Sequence, residues 1–542
     1  MPRSRARHAS PVRDDQPKPP PIAYPPYLPI TTGLDAHQLD RGPLAESLTF
    51  ASSLIVYTRL VHLPAIRAMA EYKKDAEAGV ATYIQPEVEP ERASGSGGEK
   101  PHAGDEDFEV FKHVEGGVDY RTVGWPRASV IFLKVIFATG VLSIPSAMVS
   151  LGAVGGAICL IGWGAINTYT ATTLGKFRNS HPGCHTVADM AYHVGGAWFR
   201  ELVGALYLIA YTLCAGTGIL GTSIGINALS SHAACTVWWS FIATVAIALM
   251  ASFPKFHQIG WLTWAGFFSI FIAVFIVVCG VTRYDRPYAA PADVTDFGYY
   301  AIPPVPASFA AGVTACVTIF VSSAGTSAFI PVISEMRRPQ DFYKALYTCM
   351  GFVTACYLAF SLVVYRWCGQ YVASPSLGSA GPTIEKISYG IGLLGLLVSG
   401  VIYAHVGAKY LFVRILRNSR HLQEKTPLHW MTWFGCSLGL CAISFILAEA
   451  IPVFNYLVAL VGSICFAPLA LMLPAVFYFY DNKTVIKSGT IGQKLEWALN
   501  VFLFFLGAFF LVSGTYAVIL EIIKAYADGQ IGGAFSCANN AT

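Results

Sequence analysis

Three observations predict an all-α polytopic membrane fold of two inverted five-helix repeats, with broken first and sixth helices and an added eleventh helix. The 542-residue chain is 54% hydrophobic and only 13% charged, about half the charged fraction usual in a soluble globular protein. From Trp125 onward it carries a series of apolar runs, many of them at or above the roughly 18 residues that cross a bilayer. Two of those runs, five spans apart, are interrupted by Gly and Pro.

The composition excludes several classes. With 34 Phe, 27 Tyr and 11 Trp the chain is too aromatic to stay disordered. A net charge of +4 without a basic stripe gives no nucleic-acid partner. The 13 Cys lie mostly inside apolar segments and include no CxxC pair, so they read as small buried hydrophobes, with no disulfide framework and no metal site. No GxxxxGK[ST] string occurs, so ATP-driven pumping has no support.

Residues 1–124 form a cytoplasmic, largely disordered tail in this reading. Its PKPPPIAYPPYLP run favours an extended chain. The stretch Ser47–Ala70, interrupted by Arg59, His62, Pro64 and Arg67, suits an interfacial helix rather than a span. Gly, Ser and acidic residues make 86–109 a linker. Residues 125–524 hold eleven spans, at 127–150, 153–174, 199–226, 235–253, 258–282, 309–334, 342–365, 387–415, 429–450, 455–480 and 495–522. With the tail inside, the inner loops collect Arg337, Arg338 and Lys344, then Arg414, Arg417, Arg420 and Lys425, then Lys483, Lys487 and Lys494. The outer segments hold only Arg283, Arg286, Arg366, Lys386 and Lys524, which is the orientation the positive-inside rule prefers. Residues 525–542 then form a short extracellular tail, with little glycosylation expected at its terminal sequon, Asn540.

The chemistry lies in what interrupts the apolar helices. The centre of the first span reads Phe137-Ala138-Thr139-Gly140-Val141-Leu142-Ser143-Ile144-Pro145-Ser146. Gly140 permits close approach, and Pro145 removes a donor and frees a carbonyl. By itself this also fits an ordinary kinked helix. The sixth span supplies a counterpart, Phe320-Val321-Ser322-Ser323-Ala324-Gly325-Thr326-Ser327, with Pro331 beyond. Discontinuous helices at corresponding positions of two repeats present N–H groups to an anionic group and carbonyls to a cation. The pair therefore points to a transport site. No filter loop of a channel is visible, and no cluster of His, Asp and Glu at one membrane face marks an enzyme.

Ionisable residues within spans are candidates by default. Lys134 would either snorkel to the inner surface or pair with a carboxylate of an inner gate. His405, in mid-span with Lys409 one turn on, is a proton-coupling candidate or a packed neutral imidazole. Glu449, at the outer end of span nine, is a second proton acceptor or a wetted end residue.

The string Ala138-Thr139-Gly140-Val141-Leu142-Ser143-Ile144-Pro145-Ser146-Ala147 resembles the first-helix pattern G-x-G-[IV]-L-x-[LI]-P-x-A of the amino acid/auxin permease family, the transmembrane amino acid transporters. Ala138 stands where that pattern has its first Gly. Pro331-Val332-Ile333-Ser334-Glu335-Met336-Arg337-Arg338-Pro339 is similar to the family's string after the sixth helix, one residue shorter between Ile333 and Met336. The resemblance covers 125–524 and is strongest to fungal neutral amino acid permeases. It implies secondary active import of a neutral amino acid, without enzymatic activity. The substrate carboxylate would lie against Thr139, Gly140, Val141, Leu142 and Ser143, and the amine near Phe320, Ser322, Ser323 and Gly325. Selectivity would come from spans three, six and eight. It also implies that a sodium ion would sit between helices one and eight. There Tyr403 and the more peripheral Ser399 are the hydroxyls offered, so a proton is preferred to sodium as the coupling ion, and no cofactor is expected. The plasma membrane is preferred to the vacuolar membrane, and an amino acid sensor with a regulatory protein on the N-terminal tail is the alternative function.

Overall fold

The computed structural model describes residues 123–540 apart from 182, 254–255, 418, 423–425 and 530–531. The expected tail, its interfacial helix at 47–70 and its linker at 86–109 lie outside the described residues, save for Val123 and Gly124. The chain beyond Gly124 is helical. α1 (Trp125–Ile136) ends in an irregular stretch and a 3-10 turn (Gly140–Leu142), after which α2 (Ile144–Ser180) begins with Pro145 in its first turn. Within α2, Gly152 adopts φ 73°, a left-handed value that only Gly reaches without strain. Residues before it complete the first span and residues after it form the second. α3 (Val187–Ser230) opens with a capping box between Thr186 and Asp189. α4 (Thr236–Ala251) and α5 (Phe256–Val281) close the first repeat.

The second repeat opens with α6 (Phe309–Val321), capped by the Ser308 hydroxyl, a 3-10 turn (Gly325–Ala328) and the short α7 (Phe329–Ser334). α8 (Phe342–Cys368), α9 (Pro382–Leu416) and α10 (Pro427–Ala450) come next. The tenth span is α11 (Phe454–Val461), an 11-residue π-helix (Gly462–Met472) around Pro468, and α12 (Leu473–Asp481). After the short α13 (Val485–Ser488), α14 (Ile491–Phe509), a π turn and α15 (Thr515–Ala527) form the last span. It ends three residues beyond the expected boundary at 524.

Nine helices among the described residues are long and apolar enough to cross a membrane. The broken first segment and the 16-residue α4 bring these to the eleven expected spans. Large apolar side chains such as Trp198, Leu249 and Phe505 stand outward, as they must where the surrounding solvent is hydrocarbon. Inside, small residues let backbones meet: a Cβ on Gly218 of α3 would lie 2.5 Å from the Gly400 Cα of α9. α2 packs on α8, α3 on α9 and α4 on α10. Each pair joins helices five spans apart, the arrangement that two inverted repeats produce around a shared axis.

One disulfide overturns the expectation that there is none. Cys235, at the start of α4, is bridged to Cys537 in the C-terminal tail. Spacing offered no hint of it, since 302 residues separate the two. The bridge pins the tail across the end of α4, where Thr236 Oγ1 donates to the Ala538 carbonyl (2.6 Å) and Asn227 Nδ2 to Oδ1 of Asn539 (2.9 Å) and Asn540 (3.0 Å). The amide nitrogen of Asn540 is buried.

Candidate functional site

The two interruptions meet. At the first, Phe137 leaves helical geometry (ψ 67°) and the N–H groups of Thr139, Gly140 and Val141 have no backbone partner among the described residues. At the second, Ser322 ends α6 and its hydroxyl donates to the Gly140 carbonyl (3.1 Å) as well as to that of Thr318 (2.8 Å). A Cβ on Gly140 would lie 2.9 Å from the Ser322 Cα, so only Gly allows this approach. Gly325 is roomier, its nearest neighbour being Ile136 Cδ1 at 3.4 Å.

Three side chains outside the breaks hold them. The buried Tyr357 hydroxyl of α8 lies 2.8 Å from the Ile136 carbonyl and 3.3 Å from that of Ser322, joining the frayed ends of both broken helices. Asn167 of α2 donates to Ser323 Oγ (2.8 Å) and the Phe320 carbonyl (3.2 Å). Tyr403 of α9 donates to the Val135 carbonyl (3.1 Å). These groups satisfy backbone carbonyls that a continuous helix would have paired internally. Asn167 and Tyr357 were not among the sequence candidates. For Tyr357 the signal was one polar residue in an apolar run, while Asn167 heads a stretch of hydroxyl residues, Thr168-Tyr169-Thr170.

Between the breaks lies a cavity of about 40 Å³. Thr139, Gly140, Ser322 and Gly325 line it, together with Thr217 of α3 and Tyr403 of α9. Val458, Val461 and Phe466 complete the wall from the tenth span, which the sequence reading had not included. No Asp, Glu, Lys, Arg or His contributes to the lining.

The other candidates fall elsewhere. Val141, Leu142 and Ser143 are fully buried behind the first break, with Ser143 Oγ donating to the Gly140 carbonyl (2.9 Å). Phe320 turns toward Trp163 and Phe510, and Ser323 serves Asn167. His405 is buried near the Ala251 carbonyl and against the Trp433 ring, outside the cavity lining. Glu449 is buried near the C-terminal end of α10, where its backbone carbonyl accepts a hydrogen bond from Phe535 of the tail. Lys134 follows neither sequence reading. It is fully buried, with Nζ 2.8 Å from Ser399 Oγ and 3.1 Å from the Gly395 carbonyl of α9.

A second cavity, of about 100 Å³, opens at the end of the bundle that bears the basic clusters. Charges line it: Lys409 pairs with Glu335 (3.1 Å), Arg417 with Asp189 (2.7 Å), and Arg414 with Glu201. His185, in the loop before α3, also lines it. Burial, reinforced by Arg178, Arg417 and Lys409 and opposed by Asp189, pushes its imidazole down to about 4. Beside this cavity Val123 bridges in parallel to Met336, so the segment entering α1 is hydrogen-bonded to the segment leaving α7.

Chemically, unpaired N–H groups at one break suit a carboxylate, while hydroxyls and carbonyls at the other suit an ammonium. The family model for transmembrane amino acid transporter proteins matches residues 121–520. A "Transmembrane transporter" of Gibberella moniliformis is 47% identical over 83% of this chain and 93% of its own length. The "N amino acid transport system protein" of Neurospora crassa is 29% identical over 78% of this chain and 90% of its own. Among solved structures, MhsT in complex with L-phenylalanine aligns over 73% of this chain and 98% of its own at 13% identity and TM-score 0.43. A nucleobase-cation-symport-1 family transporter with bromovinylhydantoin bound aligns over 80% of this chain and 99% of its own at 12% identity and TM-score 0.46. By its sequence match across the whole membrane domain, the chain is a member of the transmembrane amino acid transporter protein family.

Proposed function

We propose that the protein imports neutral amino acids by proton symport, through alternating access around the cavity between its two broken helices. The observation that carries this reading is the cavity's composition. Free N–H groups and hydroxyls adjoin an otherwise apolar wall that offers no fixed charge to an acidic or basic side chain. The N–H groups of Thr139, Gly140 and Val141 take the substrate carboxylate. Ser322, Thr217 and the carbonyls near Ser322 take its ammonium. The first two spans of each repeat move against the third and fourth, with the breaks as hinges.

One feature supports a proton over sodium. The oxygen donors between α1 and α9 are already engaged, Tyr403 on the Val135 carbonyl and Ser399 on Lys134. An inward proton, like any single positive charge, gains about 2.3 kcal/mol per 100 mV of membrane potential. The plasma membrane, with the N-terminal tail in the cytoplasm, is the setting proposed.

The test is uptake of radiolabelled L-leucine, L-alanine and L-phenylalanine, with L-aspartate and L-lysine for contrast, into proteoliposomes under separate proton and sodium gradients. Accumulation of the neutral amino acids under the proton gradient alone is expected. Accumulation only with sodium overturns the coupling, and preference for aspartate or lysine overturns the substrate class. Binding without flux would favour a sensor.

A further inference from the structure

We infer that Lys134 carries the coupling proton: its ammonium is a tethered cation that latches α1 to α9, and loss of its proton releases the latch. This deepens the proton-symport reading and rests on it. Lys134 has no exposed surface, and among the described residues no carboxylate pairs with it. Such a cation is expensive to keep inside a membrane protein and marks function by default.

Its surroundings are those of a cation site. Nζ meets a backbone carbonyl (Gly395, 3.1 Å) and a hydroxyl (Ser399, 2.8 Å) of α9. Ser399 Oγ also lies 2.8 Å from the Gly395 carbonyl. On α5, Gly266 leaves room for the lysine stem, and Ser269 Oγ accepts from the Gly395 N–H (2.9 Å), fixing this turn of α9. Two titratable side chains, Tyr403 of α9 and Tyr357 of α8, reach α1 and donate to its carbonyls. Among the described residues no charged side chain of α5, α8 or α9 lies beside the ammonium.

Position along α1 supplies the path. Ile131, one turn before Lys134, lines the charge-lined cavity, and Val135, the next residue, lines the substrate cavity. A proton entering with substrate converts the Lys134 amine to an ammonium, which gains two oxygen acceptors on α9. When the inner side opens, the ammonium gives that proton to water of the charge-lined cavity. The neutral amine then holds α9 weakly, and α1 is free to return.

The experiment compares wild type, Lys134→Met and Ser399→Ala in proteoliposomes, using the same labelled neutral amino acids. Two readouts are exchange of internal for external substrate, which needs no net proton movement, and accumulation under an imposed pH gradient with proton entry followed by an internal pH dye. Lys134→Met is expected to lose accumulation and proton entry at least about tenfold while exchange persists. Accumulation and proton entry at wild-type levels in Lys134→Met overturn the inference and leave the proton-symport reading standing. Sodium-driven accumulation in the wild type overturns both. Should Lys134→Met fail to fold, Ser399→Ala decides: removing one acceptor of the ammonium is expected to move the half-maximal pH of uptake about one unit toward acid. An unmoved pH profile overturns the inference.

Discussion

The two broken helices look alike in sequence, each a glycine among small hydroxyl residues with a proline beyond, yet they are built differently. The first is closed: Gly140 lies against Ser322, its carbonyl accepts from the Ser322 hydroxyl, and Tyr357 and Tyr403 hold the carbonyls of Ile136 and Val135. The second is held from behind by Asn167 on one face of the turn, and Gly325 has space around it. One glycine is required by contact, and the other has room for a Cβ. A shared motif therefore does not imply a shared tolerance to substitution.

The largest expected effect tests that difference directly. Gly140→Leu should reduce uptake to background, by about 100-fold or more, because its Cβ alone would press on the Ser322 backbone. Gly325→Ala should retain at least about half of wild-type uptake, since an added Cβ finds ordinary contact there. Uptake normalised to protein in the membrane checks both, and equal loss in the two variants breaks the comparison. Next comes Tyr357→Phe. It removes the donor shared by both breaks, costs about 1–3 kcal/mol through the unsatisfied carbonyls and should lower uptake about tenfold with an earlier thermal transition. Asn167→Ala touches only the second break and should cost about threefold in uptake.

Smaller effects are expected at the second, charge-lined cavity. Lys409 and Glu335 join α9 to the end of α7 but are partly exposed, so Lys409→Gln should cost less than about 1 kcal/mol and change uptake only about twofold. His185 gives a pH signature. Its imidazole is held near 4 in the fold against about 6.5 in an unfolded chain. The unfolded state then binds more protons over that window, so stability contributed here is full above about 6.5 and falls as pH drops toward 4. His185→Asn should flatten the acid side of a thermal-stability profile between pH 7 and 5.

The spans, the two breaks and the basic loops were legible in the sequence because each depends on local chemistry: apolar length, Gly and Pro, and Lys/Arg placement. The supports were not. Asn167 meets Phe320 across 153 positions and Tyr357 meets Ile136 across 221, and no periodicity within an apolar helix announces such partners. The π-helical tenth span had its own signals in Gly462 and Pro468, but only the packed bundle shows that its residues line the cavity. Val141, Leu142, Ser143, Phe320 and Ser323 stand beside the breaks along the chain. Which way each side chain turns depends on the three-dimensional crossing of α1 and α6.

The Cys235–Cys537 bridge also has a consequence for biosynthesis. A ribosome adds about 5–20 residues per second, so the 302 positions between the partners mean that Cys235 waits roughly 15–60 seconds for a mate that emerges after the last helix. During that interval its thiol stays reduced and available to other oxidants or cysteines. Once oxidised, the pair distinguishes chains that have delivered their final helix from those that stalled before it. Thiol labelling of newly made protein can therefore follow the completion of membrane insertion molecule by molecule.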